Sequence, residues 1–452
     1  MHQRKVLFGL FGVLALAAVY ILVTQLLHYS KISTLKQKLY AQLTEVRENG
    51  FTLSNREKGK EKEHFLIRLD DPAKASAYLA EKGIRITAEE AAELKGVTLA
   101  VDLTYLRESI ALDLYPVTLP AALHAVLAQE NGKELLAQFK GMLKEKTLLV
   151  HVEADHSGST FTGTLKDINA TLEGEKEATL LLQGFDFSGT VKQKQIVELV
   201  QRLQTIHFSI EGEINRSIYG LEHHYALTGP SVYDYQETYR IKKIQMDDTP
   251  EAAFQAEGLF MLAISRAKDR SAEENFRVEV EDGALLFERE HVGMKNFFLD
   301  MHISNIDTHA LESLQKAVPY NKEVMDALER NILSGPIHIA IPTLSVEKLV
   351  LDGKEIEGFS LQADMALDSA SDIARFGIDP AQALSKMDAD IELTLSKELL
   401  ELIIKDPEAM LLYMTYRPKS VSDTRIYTIE IKDGLMKING KALKVHGEPV
   451  RF

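Results

Sequence analysis

The stretch Val6–Leu27, VLFGLFGVLALAAVYILVTQLL, constrains this chain more than any other, because it runs for 22 residues without a charge. A helix rises about 1.5 Å per residue, so roughly 20 such residues cross a bilayer core. Arg4 and Lys5 precede it; His28, Tyr29 and Ser30 follow. Read as an uncleaved signal anchor, it makes the chain a single-pass protein of a bacterial inner membrane with its C-terminal body in the periplasm. The cations ahead of it favour a cytoplasmic N-terminus, although Lys31, Lys36 and Lys38 lie close on the other side. The competing reading, a signal peptide cleaved at Ala15-Leu16-Ala17, fits less well, because the apolar run continues for ten residues past Ala17.

Beyond the anchor the chain reads as globular, with 45% hydrophobic and 26% charged residues. Its formal net charge is −15; two of the 52 cations and none of the 67 acids lie in the first 28 residues, leaving −17 for the rest. So acidic a body argues against nucleic acid as partner, since phosphate recognition needs clustered Lys and Arg. Cysteine is absent, which removes disulfides, thiolate metal sites and cysteine nucleophiles together. The expected organisation is 1–28 for tip and anchor, 29–50 for a helical stalk, and two α+β halves at 51–246 and 247–452. The dividing seam is Asp247-Asp248-Thr249-Pro250-Glu251, with a second seam near Leu114–Pro120.

The stalk carries Ile32, Leu35, Leu39, Leu43 and Val46 at helical spacing, which suits packing on the body or a homodimer through the stalk. Asp71-Pro72 starts a helix running to Lys82, and Ser396 caps a helix directly after the strand ADIELTL. The stretches Lys133–Lys144 and Thr190–Leu203 also read as amphipathic helices, the latter from Ile196, Leu199, Val200 and Leu203. A further helix, capped by Asp307 or Thr308, is expected after FFLDMHISNI. Between the helices lie alternating strands with short turns, including a hairpin signal at Glu281-Asp282-Gly283. The fold class expected is α+β: an N-terminal transmembrane helix, then an elongated, largely antiparallel β-meander sheet with amphipathic helices packed on it.

Chemistry is sparse. His151 and Glu153 share one face of a strand and His156 follows in the turn, so these three are the candidate metal ligands, with a solvated polar face as the plainer reading. His223 and His224 are adjacent on a strand and point to opposite faces. Asp388, Asp390 and Glu392 line one strand face and read as a solvated sheet edge. Nucleophile elbows, H-E-x-x-H, phosphate loops and the dinucleotide glycine pattern are missing, so no catalytic residues and no cofactors are assigned. Strands with consecutive apolar residues, such as Leu180–Leu182, Leu259–Leu262 and Phe297–Leu299, suggest burial on both faces or an apolar groove for acyl chains.

The anchor, the phrases FFLDMHISNIDTHALESL and MDADIELTLSKELLELI, and the terminal IYTIEIKDGLMKINGKAL resemble the YdgA-like family of bacterial envelope proteins. A looser likeness is to AsmA-like and tubular lipid-binding proteins. The resemblance implies membrane attachment and carries over no catalytic residues. The function expected is that of a non-enzymatic, membrane-anchored periplasmic protein. It would meet the membrane through Val6–Leu27 and bind a lipid or an envelope protein partner in cell-envelope maintenance. The alternatives are an envelope hydrolase or metal-dependent enzyme using the His151 region, and a structural scaffold.

Overall fold

The computed structural model describes residues 32–81, 86, 88–128, 133–155, 157, 159–173, 176–192, 195–249, 252–287, 290–308, 336–351, 353–367, 387–445 and 448–449. Strand makes up 64% of the structure and helix only 18%, so the α+β expectation is corrected: the molecule is mostly large antiparallel β-sheet. The transmembrane part of that expectation also finds no support, and with it the single-pass inner-membrane placement. No helix among the described residues is long and apolar enough to cross a membrane. Val6–Leu27 itself lies outside the described residues. Two compact units emerge, Met1–Ala226 with Val318–Tyr320 and Leu227–Ala317 with Asn321–Phe452.

The first unit runs α1 (Ile32–Glu48), β1 (Phe51–Lys58), β2 (Lys62–Leu69), α2 (Pro72–Glu81), α3 (Ala88–Glu93), β3 (Thr98–Tyr105), β4 (Ser109–Pro116), α4 (Ala121–Leu127) and α5 (Lys133–Lys144). It continues with β5 (Val150–Asp155), β6 (Thr160–Leu165), β7 (Ile168–Leu172), β8 (Ala178–Gln183), β9 (Phe185–Lys192), β10 (Gln195–Ile210) and β11 (Ile214–Leu227). Strands β1 to β6 pair each with the next, then β6 pairs β9, β9 pairs β10 and β10 pairs β11, all antiparallel. Alternation assigns one face to the core: Phe65, Val101, Leu112, Leu114, Val150, Val152, Phe161 and Phe187 are buried there with Leu39 and Leu43 of α1. The stalk helix thus lies on the sheet with Leu39 and Leu43 of its seam covered. Asp71 accepts from the Lys74 amide at 3.2 Å, as the Asp-Pro signal requires.

Thr190–Leu203 is corrected from helix to strand. Ile196 and Leu199 stand three apart, which reads as helical, yet both pack on the core face of a strand. The register of β10 against β9 shifts between Ile196 and Glu198, so Val197 is an inserted residue that returns Leu199 to the face of Ile196. Pairing with β9 on one side and β11 on the other settles the outcome.

The second unit contains β12 (Tyr235–Thr249), β13 (Ala252–Lys268), β14 (Ser271–Phe287), β15 (Glu290–Asp307), β16 (Ile337–Leu351), β17 (Lys354–Leu367), β18 (Met387–Ser396), α6 (Lys397–Ile403), α7 (Pro407–Thr415), β19 (Lys419–Val421), β20 (Thr424–Lys432), β21 (Leu435–Ile438) and β22 (Lys441–Ala442). Each strand from β12 to β18 pairs with the next, and β18 then pairs β20. Glu281-Asp282-Gly283 is no hairpin: β14 continues through it, because Gly283 pairs Ala256 on one side and Met294 on the other. The seam at 247–251 falls at the β12–β13 connection. Ser396 caps α6, accepting from the Leu399 amide at 3.1 Å. The helix expected after Asp307 or Thr308 lies beyond residue 308, outside the described residues.

Helix α1 is held by one wholly buried carboxylate. The Glu63 side chain is 0% exposed. It accepts from Tyr40 Oη at 3.0 Å, Tyr105 Oη at 3.1 Å and Arg56 Nη2 at 3.3 Å, with Lys36 Nζ at 3.7 Å. Burial, reinforced by the Glu63 charge, pushes the Tyr105 and Tyr40 hydroxyls above the usual tyrosine range. Removing one partner of such a cluster strands the others in low dielectric. Glu63→Ala should therefore lower unfolding stability by about 3–5 kcal/mol in a urea titration, and Glu63→Gln by less.

Candidate functional site

The three expected metal ligands do not converge. His151 Nδ1 lies 2.6 Å from Asp113 Oδ1 of the neighbouring strand. Glu153, two residues on, accepts a hydrogen bond from the Ser109 hydroxyl. His156 lies outside the described residues. The next residue on that face, Asp155, is turned into the β5–β6 hairpin. It accepts from the hydroxyls of Ser157, Ser159 and Thr160 at 2.7, 2.8 and 2.8 Å and from the Ser159 amide at 2.9 Å. Each polar side chain of β5 is thus matched to its own partner. Among the described residues no group of three or more His, Asp and Glu is placed to hold a metal ion.

Strand register instead lays these groups in a line across the sheet. Glu57, His64, Asp102, Asp113, His151, Thr164, Asp186, Arg202 and Glu222 are direct cross-strand partners from β1 to β11. Asp102 and Asp113 stand directly opposite each other, an arrangement that costs energy unless neutralised. A histidine hydrogen-bonds each from its far side, His64 Nδ1 lying 2.6 Å from Asp102 Oδ1 as His151 does from Asp113. Asp102 also accepts from Tyr115 Oη at 2.9 Å and faces Lys146 Nζ at 3.5 Å. Burial by itself would raise the Asp102 carboxyl; the hydrogen bonds from His64 and Tyr115 outweigh it and hold the pKa below the usual range. Beside Lys146, a cavity of about 20 Å³ opens between Pro116, Leu119, Phe139, Met142 and Leu143. Ligand pockets run to roughly 300–1,000 Å³, so this one admits no lipid.

The second unit offers a larger feature. Tyr239, Met261, Val278, Leu299, Leu344, Leu361, Leu393 and Tyr427 are direct partners across eight strands. A parallel row holds Val280, Phe297, Val346, Phe359 and Leu395. All eight side chains of the first row are only partly buried, whereas the core row of the first unit is closed from water. The strands expected to be buried on both faces, Leu259–Leu262 and Phe297–Leu299, are half-exposed throughout. The opposite face is more polar, although Phe260 and Phe298 lie on it beneath Arg240 and Arg277. It carries Asp388, Asp390 and Glu392, but β18 is paired on both sides, so these acids mark a sheet face and not the expected edge. At one end, Leu399 and Leu400 of α6 cover part of the apolar face, packing with Ile356, Leu395 and Phe359.

His223 and His224 do not share a site. His223 Nδ1 meets Gln201 Oε1 at 2.8 Å, and His224 Nε2 lies 3.6 Å from Glu198 on the other face. The apolar rows were half-legible, since each strand's alternation is plain but the register that aligns them is not. Helix α7 escaped the sequence reading, although Asp406-Pro407 repeats the Asp71-Pro72 signal: Asp406 accepts from the Glu408 and Ala409 amides at 2.9 and 3.0 Å.

No family model, no curated protein and no solved structure matches this chain. The resemblance to the YdgA-like family rests on the sequence phrases alone.

The Asp155 cage gives a clear pH signature. Burial by itself would raise this carboxyl; the hydroxyls of Ser157, Thr160 and Ser159 outweigh it and hold it well below the usual range. A carboxyl depressed in the folded state contributes its full stability above its unfolded pKa of about 3.9 and loses it as pH falls through the folded value. Asp155→Ala should thus cost about 2 kcal/mol at neutral pH, with the gap to wild type narrowing below about pH 4 in parallel urea titrations.

Proposed function

We propose that this chain is a non-catalytic binding protein whose second unit holds an acyl chain or similarly extended apolar ligand along its sheet. The observation that carries this reading is the in-register row Met261–Val278–Leu299–Leu344–Leu361–Leu393, apolar in every member and closed from water in none. Exposed apolar surface of this continuity marks a ligand or partner site in soluble folds. Strands lie about 4.8 Å apart, so eight of them present a row of roughly 34 Å. An acyl chain spans half of a bilayer core of about 30 Å and fits within it. The lack of polar side chains in the row favours a ligand recognised by apolar contact and not by directed hydrogen bonds. The looser likeness to tubular lipid-binding proteins points the same way as analogy.

A fluorescent polyunsaturated fatty acid reports on such a face by gaining intensity as it leaves water. Wild type should bind it saturably. Leu344→Asn with Leu361→Asn should weaken binding at least tenfold, about 1.4 kcal/mol, which is within the burial lost from one leucine. Thr162→Asn on the polar face of the first unit should change nothing. Saturable binding that survives in the double variant, or none in wild type, would defeat the proposal.

A further inference from the structure

Exposed apolar side chains are concentrated at one place. Of the 13 large hydrophobic residues that are exposed among the described residues, seven fall between 402 and 421: Leu402, Ile403, Met410, Leu411, Leu412, Met414 and Val421. Leu411 is 67% and Met414 60% exposed. They belong to α6, α7 and the strand after them, and α7 buries none of its residues. The inner side of the same helix pair is committed to the sheet through Leu399 and Leu400. The α6–α7 pair is therefore apolar toward the protein and apolar toward solvent.

The shape of the outer surface decides what covers it. A peptide groove or a partner helix reads one stripe, with anchors three, four and seven residues apart. Met410, Leu411 and Leu412 are consecutive, and at about 100° per residue they span roughly 200° of the helix circumference. A helix that is apolar all round is stable inside a core or in hydrocarbon, where contact is fluid and comes from every side. Charge points to the same occupant. The chain as a whole carries −15, and α6 with the start of α7 holds the acids Glu398, Glu401, Asp406 and Glu408 against Lys397 and Lys405. The far end differs: residues 409–422 contain Arg417 and Lys419, both exposed, and no acid. Lys441 adds a third cation at the C-terminal end of α7, donating to the Thr415 carbonyl at 3.4 Å. Cations beside an apolar helix suit lipid phosphates.

We propose that the α6–α7 pair docks on a lipid surface, sinking Met410, Leu411, Leu412 and Met414 to the acyl boundary while Arg417, Lys419 and Lys441 meet headgroup phosphates. With nine residues α7 lies in the interface and does not cross the bilayer. The docking is independent of whether the sheet face holds an acyl chain.

Flotation of the full chain tests it, with vesicles of phosphatidylcholine alone and vesicles of phosphatidylcholine mixed equally with phosphatidylglycerol. Wild type should float with both and more with the anionic mixture, the difference shrinking as salt is raised. Leu411→Glu with Leu412→Glu should lose at least tenfold in bound fraction while melting as wild type does, since both side chains are exposed. Met410→Gln with Met414→Gln reports on the same patch should the first pair fail to fold. Three results would each overturn the proposal: wild type that stays with the pellet in both mixtures, variants that float equally, or a wild-type dimer that the variants dissolve without any flotation. Fatty-acid binding measured on the same variants separates the two ideas. Uptake without flotation leaves the sheet-face reading intact and removes the docking; flotation without uptake does the reverse.

Discussion

The first unit depends on a desolvated carboxylate. Its sheet has one apolar face, and a face of that kind folds stably only when something lies over it. Helix α1 covers it with Leu39 and Leu43, and Glu63 fixes α1 in place through Tyr40 and, less directly, Lys36. The anion sits on the apolar side of β2, two residues before the fully buried Phe65. Its burial is tolerable because two hydroxyls, a guanidinium and an ammonium surround it. The arrangement trades solvation for geometry: the same helix placed a turn higher or lower would withdraw Tyr40 and Lys36 and leave Glu63 with Arg56 and Tyr105 alone.

The second unit solves the covering problem differently. Its strands follow the same alternation, yet the row from Tyr239 to Tyr427 is left partly exposed over eight strands, while Val280, Val346 and Leu395 of the row beside it are buried and helix cover lies at the α6 end among the described residues. The polar side is guarded. Asp364, Asp390 and Glu430 stand in register on adjacent strands, and His338 and Lys437 reach two of them. Like charges in a row cost some stability and also discourage a second sheet from stacking there.

Much of the local structure was legible. Asp71-Pro72 and Ser396 mark helix starts through capping chemistry, and the period-2 strands are plain. What failed, failed for tertiary reasons. A single inserted residue, Val197, turned a strand's spacing into a helix-like one. The turn-forming Glu281-Asp282-Gly283 was overruled by pairing on both sides. Glu63 lies in the run EKGKEKEHF, which reads as a solvated charge cluster; only its parity with Phe65 places it inside. The partner of His151 was out of reach, because Asp113 is 38 residues away and is brought opposite only by the β4–β5 register. The same holds for the apolar rows, which draw one residue from each of eight strands in one row and five in the other.

The order of the strands in the second unit has a kinetic meaning. From β12 to β18, every strand's partner is its neighbour along the chain. Closing such pairs costs little chain entropy, so each hairpin is a template on which the next strand can zip. The first unit has no such shortcut where β6 waits for β9 and β8 for β10. Because most of the zipped sheet needs no covering layer to hold its register, its growth is not gated by helix docking. Among the described connections, the one after β18 is different: the chain leaves the sheet for α6 and α7 before returning as β20, and the growing edge must pause for these helices to find their place.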